Sequence, residues 1–282
     1  MLSMNSVAFL LVGAMVLVGC RSDSTTTDGL EARLKKLEET NAKYAEAFEF
    51  LQKIHEQQKH QQVAQERDEP APDAIFAVDI APNLKAGLVE GPAAGAPVTI
   101  VEAWDFGSPY CERASALLED LVKEYNGKVR VVFKNMVVHP QVTNAHLAGC
   151  AAGKLGKFTE FKRAFWEQGF KPRKMDDATI ESIAKGIAGL DLARWKLLRD
   201  GEECKQLVQN DMSELQKFRV GSTPPTLFIN GTHVATAPTK ESLKQLVEDK
   251  LKTAGNQADY YDKVVMATGE KQFRSKSDPK PN

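Results

Sequence analysis

The chain has 282 residues, enough for one large domain or two small ones with a proper hydrophobic core. Its 37 Lys and Arg residues nearly balance its 38 Asp and Glu residues, which excludes binding to nucleic acid or to anionic membranes through bulk charge. Four cysteines are too few for a disulfide scaffold, so the apolar core must supply most of the stability.

Residues 1–20 have the pattern of an export signal. The apolar run from Val7 to Val18 is shorter than the about 20 apolar residues that a membrane-spanning helix needs. It ends in Leu17-Val18-Gly19-Cys20, which resembles a bacterial lipobox. We therefore expect Cys20 to be lipidated and the protein to face the periplasm, anchored to the inner or the outer membrane. An ordinary signal peptide or a short membrane anchor is the alternative interpretation.

A polar tether, residues 21–29, leads into a heptad pattern over residues 30–56. The apolar positions of this pattern are Leu30, Leu34, Leu37, Tyr44, Phe48 and Leu51. The spacing predicts an amphipathic helix. It is either a single helix lying on the domain or a short coiled coil that lets copies of the chain associate through residues 30–55.

Two segments predict little structure of their own. Residues 57–95 are predicted to be a linker, because the first part is rich in Gln, Glu and Pro and the second part in Gly, Ala and Pro. Residues 253–282 end in charged residues and prolines, which predicts a partly loose C-terminal tail. A folded domain is expected between them, over residues 96–252.

The folded domain begins with a β-α-β pattern, which argues for a right-handed parallel unit. Residues of about 141–218 are helical throughout in pattern, and strand signals return after them. The predicted elements in chain order are a strand at Val98–Trp104, a helix over Tyr110–Tyr125, a strand at Val129–Phe133, the helical segment, a strand at Thr226–Ile229, an Asn230-Gly231 turn into Thr232–Ala235, and a closing helix over Glu241–Leu251.

The motifs of this domain resemble those of the DsbA-like branch of the thioredoxin superfamily over roughly residues 96–252. They are Ala96–Phe106, Ser108-Pro109-Tyr110-Cys111, His139-Pro140, Gly156-Lys157-Phe158 and Thr223–Gly231. The resemblance implies an α/β thioredoxin fold with an inserted helical domain, preceded here by the N-terminal helix. It identifies His139 as the residue that starts the insertion.

In that family the position of Ser108 carries the nucleophilic cysteine, at the N-terminus of a helix where the dipole stabilises a thiolate. A hydroxyl forms no disulfide, so the usual dithiol cycle is excluded. The resemblance makes Ser108, Cys111 and Glu102 the candidate catalytic residues, with Glu102 exchanging protons with the second thiol. From the residues alone, Ser108 is equally an N-cap followed by Pro109 at the first helical position.

The resemblance also implies a substrate-binding surface. It comprises Pro109, Tyr110, Thr223, Pro224 and Pro225. Pro225 matches the family's cis-proline, whose loop pairs with extended substrate backbone. Pro224 departs from the family, since a proline before the cis bond offers no N–H to a substrate.

The other two cysteines, Cys150 and Cys204, lie near opposite ends of the helical segment. In an exported protein they form either a structural disulfide or two separate buried thiols. His146 and Cys150 are one helical turn apart, but no further ligands cluster with them, so neither a metal nor another cofactor is predicted.

The leading hypothesis is a lipid-anchored DsbA-like protein with a degenerate Ser-x-x-Cys site. It keeps monothiol chemistry at Cys111 or binds exported protein thiols and peptides as a chaperone would. Because the nucleophile is missing, enzymatic activity stays open. One alternative is a kappa-class glutathione transferase or isomerase, which Asp105–Tyr110 resembles and in which Ser108 would activate glutathione as co-substrate. The other is a non-catalytic, tethered structural module.

Overall fold

The computed structural model describes residues 25–220, 224–234, 239–255 and 257–279, with the backbone only at 25–28, 46–48 and 60–68. The predicted signal peptide and Cys20 therefore lie outside the described residues. The chain divides into two compact units, residues 1–61 and 62–282. In the part of the chain that is described, no helix combines the length and the apolar character needed to cross a membrane.

The first unit is described by its part of helix α1, which spans Thr25–Asp68 and so extends beyond the predicted 30–56. The side chains of the predicted seam are exposed to solvent. These are Leu30, Leu34, Leu37, Tyr44 and Leu51; of Phe48 only the backbone is described. A row of exposed apolar side chains on one helix is the surface that a coiled coil buries.

Deleting residues 30–55 is expected to reduce the mass of the protein in solution to that of a monomer. The exposed seam gains stability only when it is covered, and a second copy of the same helix covers it at heptad spacing. Light scattering coupled to size exclusion measures the mass. A full-length protein that is already monomeric at micromolar concentration would leave only the single-helix interpretation.

The second unit is built on a five-stranded sheet in the order β1-β3-β2-β4-β5. The strands are β1 (Val89–Glu90), β2 (Val98–Trp104), β3 (Val129–Asn135), β4 (Thr226–Ile229) and β5 (Thr232–Val234). The central strands β2 and β3 are parallel, and every other pair is antiparallel. All residues of β2 and β3 are buried, as expected for central strands covered on both faces.

Helices cover both faces of the sheet. They are α2 (Ala81–Lys85), α3 (Pro109–Glu124), α4 (Thr143–Lys154), α5 (Phe158–Phe165), α6 (Asp177–Gly186), α7 (Leu192–Asp200), α8 (Glu202–Lys217), α9 (Lys240–Ala254) and α10 (Met266–Thr268). A 3-10 turn at Pro140–Val142 precedes α4, and π-helical turns follow α5 and precede α10. Helices α4–α8 lie between β3 and β4, so the predicted fold class, a thioredoxin fold with a helical insertion, is confirmed.

Two hydrophobic clusters lie on opposite faces of the sheet, because alternate residues of a strand point to opposite sides. Ile100 and Trp104 of β2 belong to the larger cluster, together with α3, α9 and most of the insertion. Val101 and Ala103 of β2 belong to the smaller cluster. Cys111 lies in the larger cluster, so the site is set into the face that the insertion covers.

The structure differs from the linker predicted over residues 57–95. Helix α1 continues to Asp68, and the following segment is part of the fold, with Phe76, Val78 and Ile80 fully buried in the smaller cluster. Their spacing of two is that of an extended segment with one apolar face. Helix α2 and strand β1 follow, and β1 pairs with β3.

The structure also differs from the loose C-terminal tail predicted over residues 253–282. Residues 257–279 lie over the segment that contains Phe76: the Tyr261 hydroxyl donates to the Val78 carbonyl at 2.7 Å, and Glu270 N donates to the Ile75 carbonyl at 2.7 Å. Tyr261 is fully buried. The charged composition that suggested a loose tail instead supplies ion pairs, such as those of Arg274 with Asp73 and Glu270.

Candidate functional site

Ser108 lies at the N-cap of α3 and is almost completely buried. Its Oγ accepts a hydrogen bond from Cys111 N at 3.3 Å, as an N-cap residue does, and Pro109 occupies the first helical position. The same hydroxyl group donates a hydrogen bond to the carbonyl oxygen of Pro224 at 3.0 Å. Ser108 thus ties the start of α3 to the loop that precedes β4.

Cys111 is the free cysteine of the described residues and has no exposed surface. Burial raises the pKa of its thiol, and the nearby Glu102 carboxyl raises the pKa further. The hydrogen bond from Asp105 N, at 3.4 Å, and the nearby Ser108 side chain lower the pKa without balancing burial. The thiol is therefore neutral at physiological pH and is shielded from reagents.

Glu102 lies on β2, 1% exposed, and neither of its carboxyl oxygens has a hydrogen-bonding partner among the described residues. Burial raises the pKa of Glu102 to about 8, Lys162 lowers it and Glu90 raises it. The carboxyl is accordingly protonated in most molecules at neutral pH. The Glu102 carboxyl and the nearby Cys111 thiol are therefore both mostly neutral at this pH.

The loop between β2 and α3 is held by Asp105, a residue that the sequence analysis did not single out. Its carboxylate accepts hydrogen bonds from Gly107 N and His139 N at 2.8 and 2.9 Å, and His139 Nδ1 lies 2.9 Å from Oδ2. Burial alone raises the pKa of Asp105, but these bonds and the contact with His146 outweigh it and hold the pKa at about 2. His139 therefore has a structural role in fixing this loop.

The loop before β4 contains a cis peptide bond between Pro224 and Pro225, the position expected from the resemblance. Thr223 lies outside the described residues. Beside the loop, Tyr110 is 59% exposed and carries the Arg113 guanidinium at 4.7 Å from its ring centre. The structure therefore brings Ser108 together with Pro224, while Tyr110 faces solvent.

Cys150 and Cys204 form a disulfide that joins α4 to α8 inside the insertion. It is buried, and it lies in the helical domain rather than next to Ser108. Among the described residues there is no group of three His, Cys, Asp or Glu side chains that could hold a metal ion.

Lys162 is the second residue that the sequence analysis missed. It is completely buried on α5, four positions after Phe158 and therefore on the apolar stripe of that helix. A lysine at a core position was the available signal, because a buried charge requires partners. Its partners include Glu90 at 2.8 Å and Glu119 at 3.4 Å.

Comparison with known proteins gives the family. The family model described as "Thioredoxin" matches residues 83–249, which is more than half of the chain. The chain is similar to the Na(+)/H(+) antiporter NhaA 3 of Salinispora tropica, with 32% identity over 148 residues that make up 51% of this chain and 21% of that protein. It therefore spans about a fifth of the length of the curated relatives it matches.

Solved structures show the fold. A thioredoxin-like oxidoreductase from Silicibacter pomeroyi DSS-3 is similar with a TM-score of 0.53 and 24% identity, covering 62% of this chain and 98% of that one. ScsC from Proteus mirabilis in a transitional conformation is similar with a TM-score of 0.53 and 19% identity, covering 82% of this chain and 100% of that one. The chain thus belongs to the thioredoxin family and has the thioredoxin fold with a helical insertion.

Proposed function

We propose that this chain is a DsbA-like protein that does not catalyse dithiol–disulfide exchange. It instead binds exported polypeptides without forming a covalent bond to them. One observation carries the proposal: where the family has its nucleophilic thiol, the Ser108 hydroxyl is bonded to the Pro224 carbonyl. The remaining thiol, on Cys111, has no exposed surface. Monothiol exchange at Cys111 would require the start of α3 to open.

The surface beside Ser108 supports a binding role. Pro109 and Tyr110 are exposed at the tip of α3, and the Arg113 guanidinium lies over the Tyr110 ring. Tyrosine and arginine are enriched at protein–protein interfaces, where they combine apolar area with hydrogen bonding. An extended polypeptide would lie along this surface and the Pro224–Pro225 loop.

Glutathione activation has less support. It would require the Ser108 hydroxyl to donate a hydrogen bond to the sulfur of the co-substrate. That hydrogen is donated to Pro224 O at 3.0 Å, and Ser108 is almost completely buried. We therefore do not propose a transferase.

Two assays on the full-length protein in detergent test the proposal. We expect no turnover with a peptide disulfide or a peptide dithiol, and we expect suppression of the aggregation of a reduced, unfolded protein. Cys111 should resist alkylation until denaturant is added. Catalytic turnover of either peptide, or the absence of any effect on aggregation, would contradict the proposed function.

Ser108→Ala is expected to strengthen binding of a carboxymethylated, unfolded polypeptide by about fivefold, the worth of roughly one hydrogen bond. The substitution frees the Pro224 carbonyl, which a bound chain could then use as an acceptor. Loss of the N-cap should lower the free energy of unfolding by about 1 kcal/mol. Fluorescence anisotropy measures the binding.

Asp191→Ala is the matched control for Ser108→Ala. Asp191 caps α7 by accepting from Arg194 N at 3.0 Å, so this substitution removes a cap without touching the site. It should lower stability by a similar amount and leave binding unchanged. Weaker binding by Ser108→Ala alone would mean that the hydroxyl contacts the polypeptide directly.

The proposal includes a location: the protein is anchored to a membrane by a lipid on Cys20. We expect Cys20→Ala to abolish incorporation of labelled fatty acid and to release the protein from the membrane fraction, because the thiol is the acceptor of the lipid. Metabolic labelling and fractionation measure both effects. Labelling that persists in the variant would exclude Cys20 as the lipidated residue.

A further inference from the structure

A row of buried polar side chains leads from α8 to the loop that carries Ser108. Its members are Asp211 on α8, Lys134 and Asn135 at the end of β3, and His146 on α4, each at most 1% exposed. Buried polar groups in folded proteins have hydrogen-bonding partners, and each partner restricts which atom can donate and which can accept. The contacts of this row therefore fix its hydrogen positions one residue at a time.

The Asp211 carboxylate fixes the orientation of the Asn135 side chain. Its Oδ1 lies 2.8 Å from the Lys134 ammonium, and its Oδ2 accepts from Asn135 N at 2.9 Å and from Asn83 Nδ2 at 2.8 Å. Both carboxylate oxygens thus act as acceptors. The Asn135 side-chain atom at 2.7 Å from Oδ2 must be the amide nitrogen, since an amide oxygen there would face a second acceptor.

The Asn135 amide oxygen in turn fixes a hydrogen of the His146 ring. Asn135 Oδ1 lies 2.9 Å from His146 Nδ1, and an amide oxygen accepts hydrogen bonds but donates none. Nδ1 therefore carries a hydrogen and donates it to Asn135, whether the ring is neutral or charged. The bond at one ring nitrogen sets the role of the other, so Nε2 is left to bind the loop after β2.

Nε2 of His146 has two partners on that loop. Phe106 N lies 3.2 Å from it, and Asp105 Oδ1 lies 3.3 Å from it. A neutral ring accepts from Phe106 N, and a charged ring donates to Asp105 Oδ1. His146 therefore binds the loop in either state.

The same loop shields Cys111 and ends at Ser108. Asp105 N donates to Cys111 Sγ at 3.4 Å, and the Asp105 carbonyl accepts from Ser108 N at 3.1 Å. The Phe106 ring lies in the larger hydrophobic cluster, with its centre 4.5 Å from that of Phe165. Movement of Asp105 and Phe106 would therefore uncover the thiol and displace Ser108.

The other end of the row is held by the segment before β1. Lys134 Nζ donates to the Asp79 carbonyl at 2.7 Å and to Glu214 Oε2 at 2.8 Å, and Asp79 N donates to Glu214 Oε1 at 2.6 Å. Lys134 thus keeps a carboxylate partner even when Asp211 is replaced.

We propose that His146 is a positioning residue: Asp211 and Asn135 hold its hydrogen on Nδ1, and Nε2 thereby holds the loop that closes over Cys111. This role does not depend on polypeptide binding. It therefore goes beyond the proposed function and stands or fails separately from it.

Nitrogen NMR of the full-length protein in detergent, with isotope-labelled histidine, tests the position of the hydrogen. Imidazole nitrogens with and without a hydrogen differ widely in chemical shift, and His146→Gln assigns the signals. We expect Nδ1 of His146 to have the shift of a nitrogen that carries a hydrogen at every pH between about 5 and 8. The shift of a bare Nδ1 in the wild type would overturn the proposal.

Asp211→Leu is expected to move the Nδ1 signal of His146 toward that of a bare nitrogen, because the Asn135 amide can then turn over. Asp211→Asn is the matched control. Its amide oxygen takes the place of Oδ2, toward Asn135 N and Asn83 Nδ2, so it should keep the wild-type signal. A wild-type signal in a folded Asp211→Leu variant would overturn the proposal. If Asp211→Leu does not fold, the wild-type spectrum decides.

Alkylation of Cys111 under native conditions, followed by mass spectrometry of its peptide, tests the hold on the loop. His146→Asn places an amide near the position of Nδ1 and leaves no group at that of Nε2. It should speed alkylation by about tenfold or more, the effect of leaving a buried N–H without an acceptor. His146→Gln places its amide near the position of Nε2 and should alkylate at close to the wild-type rate.

The free energies of unfolding of the two His146 variants separate positioning from general loosening of the core. Denaturant unfolding measures them. Faster alkylation in His146→Asn than in His146→Gln at similar stability supports the role of Nε2. Equal acceleration in both variants, or acceleration in neither, would overturn the proposal.

Discussion

Ser108→Cys should convert the protein into an active dithiol–disulfide enzyme, whereas the wild type is inert in the same assay. The features such a site needs are in place around residue 108: the N-terminus of α3, the loop at Pro224 that contacts residue 108, and Glu102 near Cys111. A thiol at a helix N-terminus is stabilised as a thiolate, so the pKa of the new cysteine should lie below the ordinary cysteine value of about 8.5.

The stability of this variant should change little, since the substitution loses only a cap worth about 1 kcal/mol. Turnover of a peptide disulfide measures the gain, and a thiol titration measures the pKa. Ser108→Cys combined with Cys111→Ser is the control that should lose turnover. If Ser108→Cys forms no disulfide with Cys111 under oxidising conditions, the geometry is not that of a DsbA-like site.

Glu102→Gln should remove a large dependence of stability on pH. Burial raises the pKa of Glu102 to about 8 from its ordinary value of 4.5, so the folded state keeps this proton at pH values where the unfolded state has lost it. The contribution of Glu102 to the free energy of unfolding is therefore fully present below pH 4.5 and is lost as the pH rises to 8. The loss is on the order of 5 kcal/mol, at about 1.4 kcal/mol for each pH unit between the two pKa values.

Denaturant unfolding at a series of pH values between 5 and 8.5 measures this effect. The difference in unfolding free energy between Glu102→Gln and the wild type should grow with pH and then become constant above the pKa of Glu102. Glu248→Gln, which removes an exposed carboxylate bonded to Tyr125, should leave the wild-type slope unchanged. Parallel curves for Glu102→Gln and the wild type would show that Glu102 ionises normally.

The sequence was informative where the signal is local. Alternating and helical periodicity predicted the strands and helices of the domain, and Ser108-Pro109 identified a helix start, because capping depends on adjacent residues. The bond from Ser108 to Pro224 spans 116 positions, and no pattern near either residue indicates it. The role of Lys162 likewise depends on Glu90 and Glu119, which are brought to it by the fold.

The segments predicted as linker and tail differ for the same reason. The composition of each segment gives little indication of a fold. Phe76 of the first segment is nevertheless fully buried, because Phe273 of the second segment stacks against it. Neither segment has a hydrophobic face wide enough to be recognised alone. Together they form a layer on the sheet, and only their pairing makes that layer stable.

This pairing of the two ends decides where the chain can be shortened. Ala71 N donates to the Arg274 carbonyl at 3.0 Å, and Lys276 N donates to the Glu69 carbonyl at 2.9 Å. A protein cut after residue 249, where the match to the family model ends, would keep Ser108, Cys111 and Glu102 but uncover Phe76 and Val78. A protease that removes the last thirty or so residues would therefore inactivate by aggregation a molecule whose site is chemically intact.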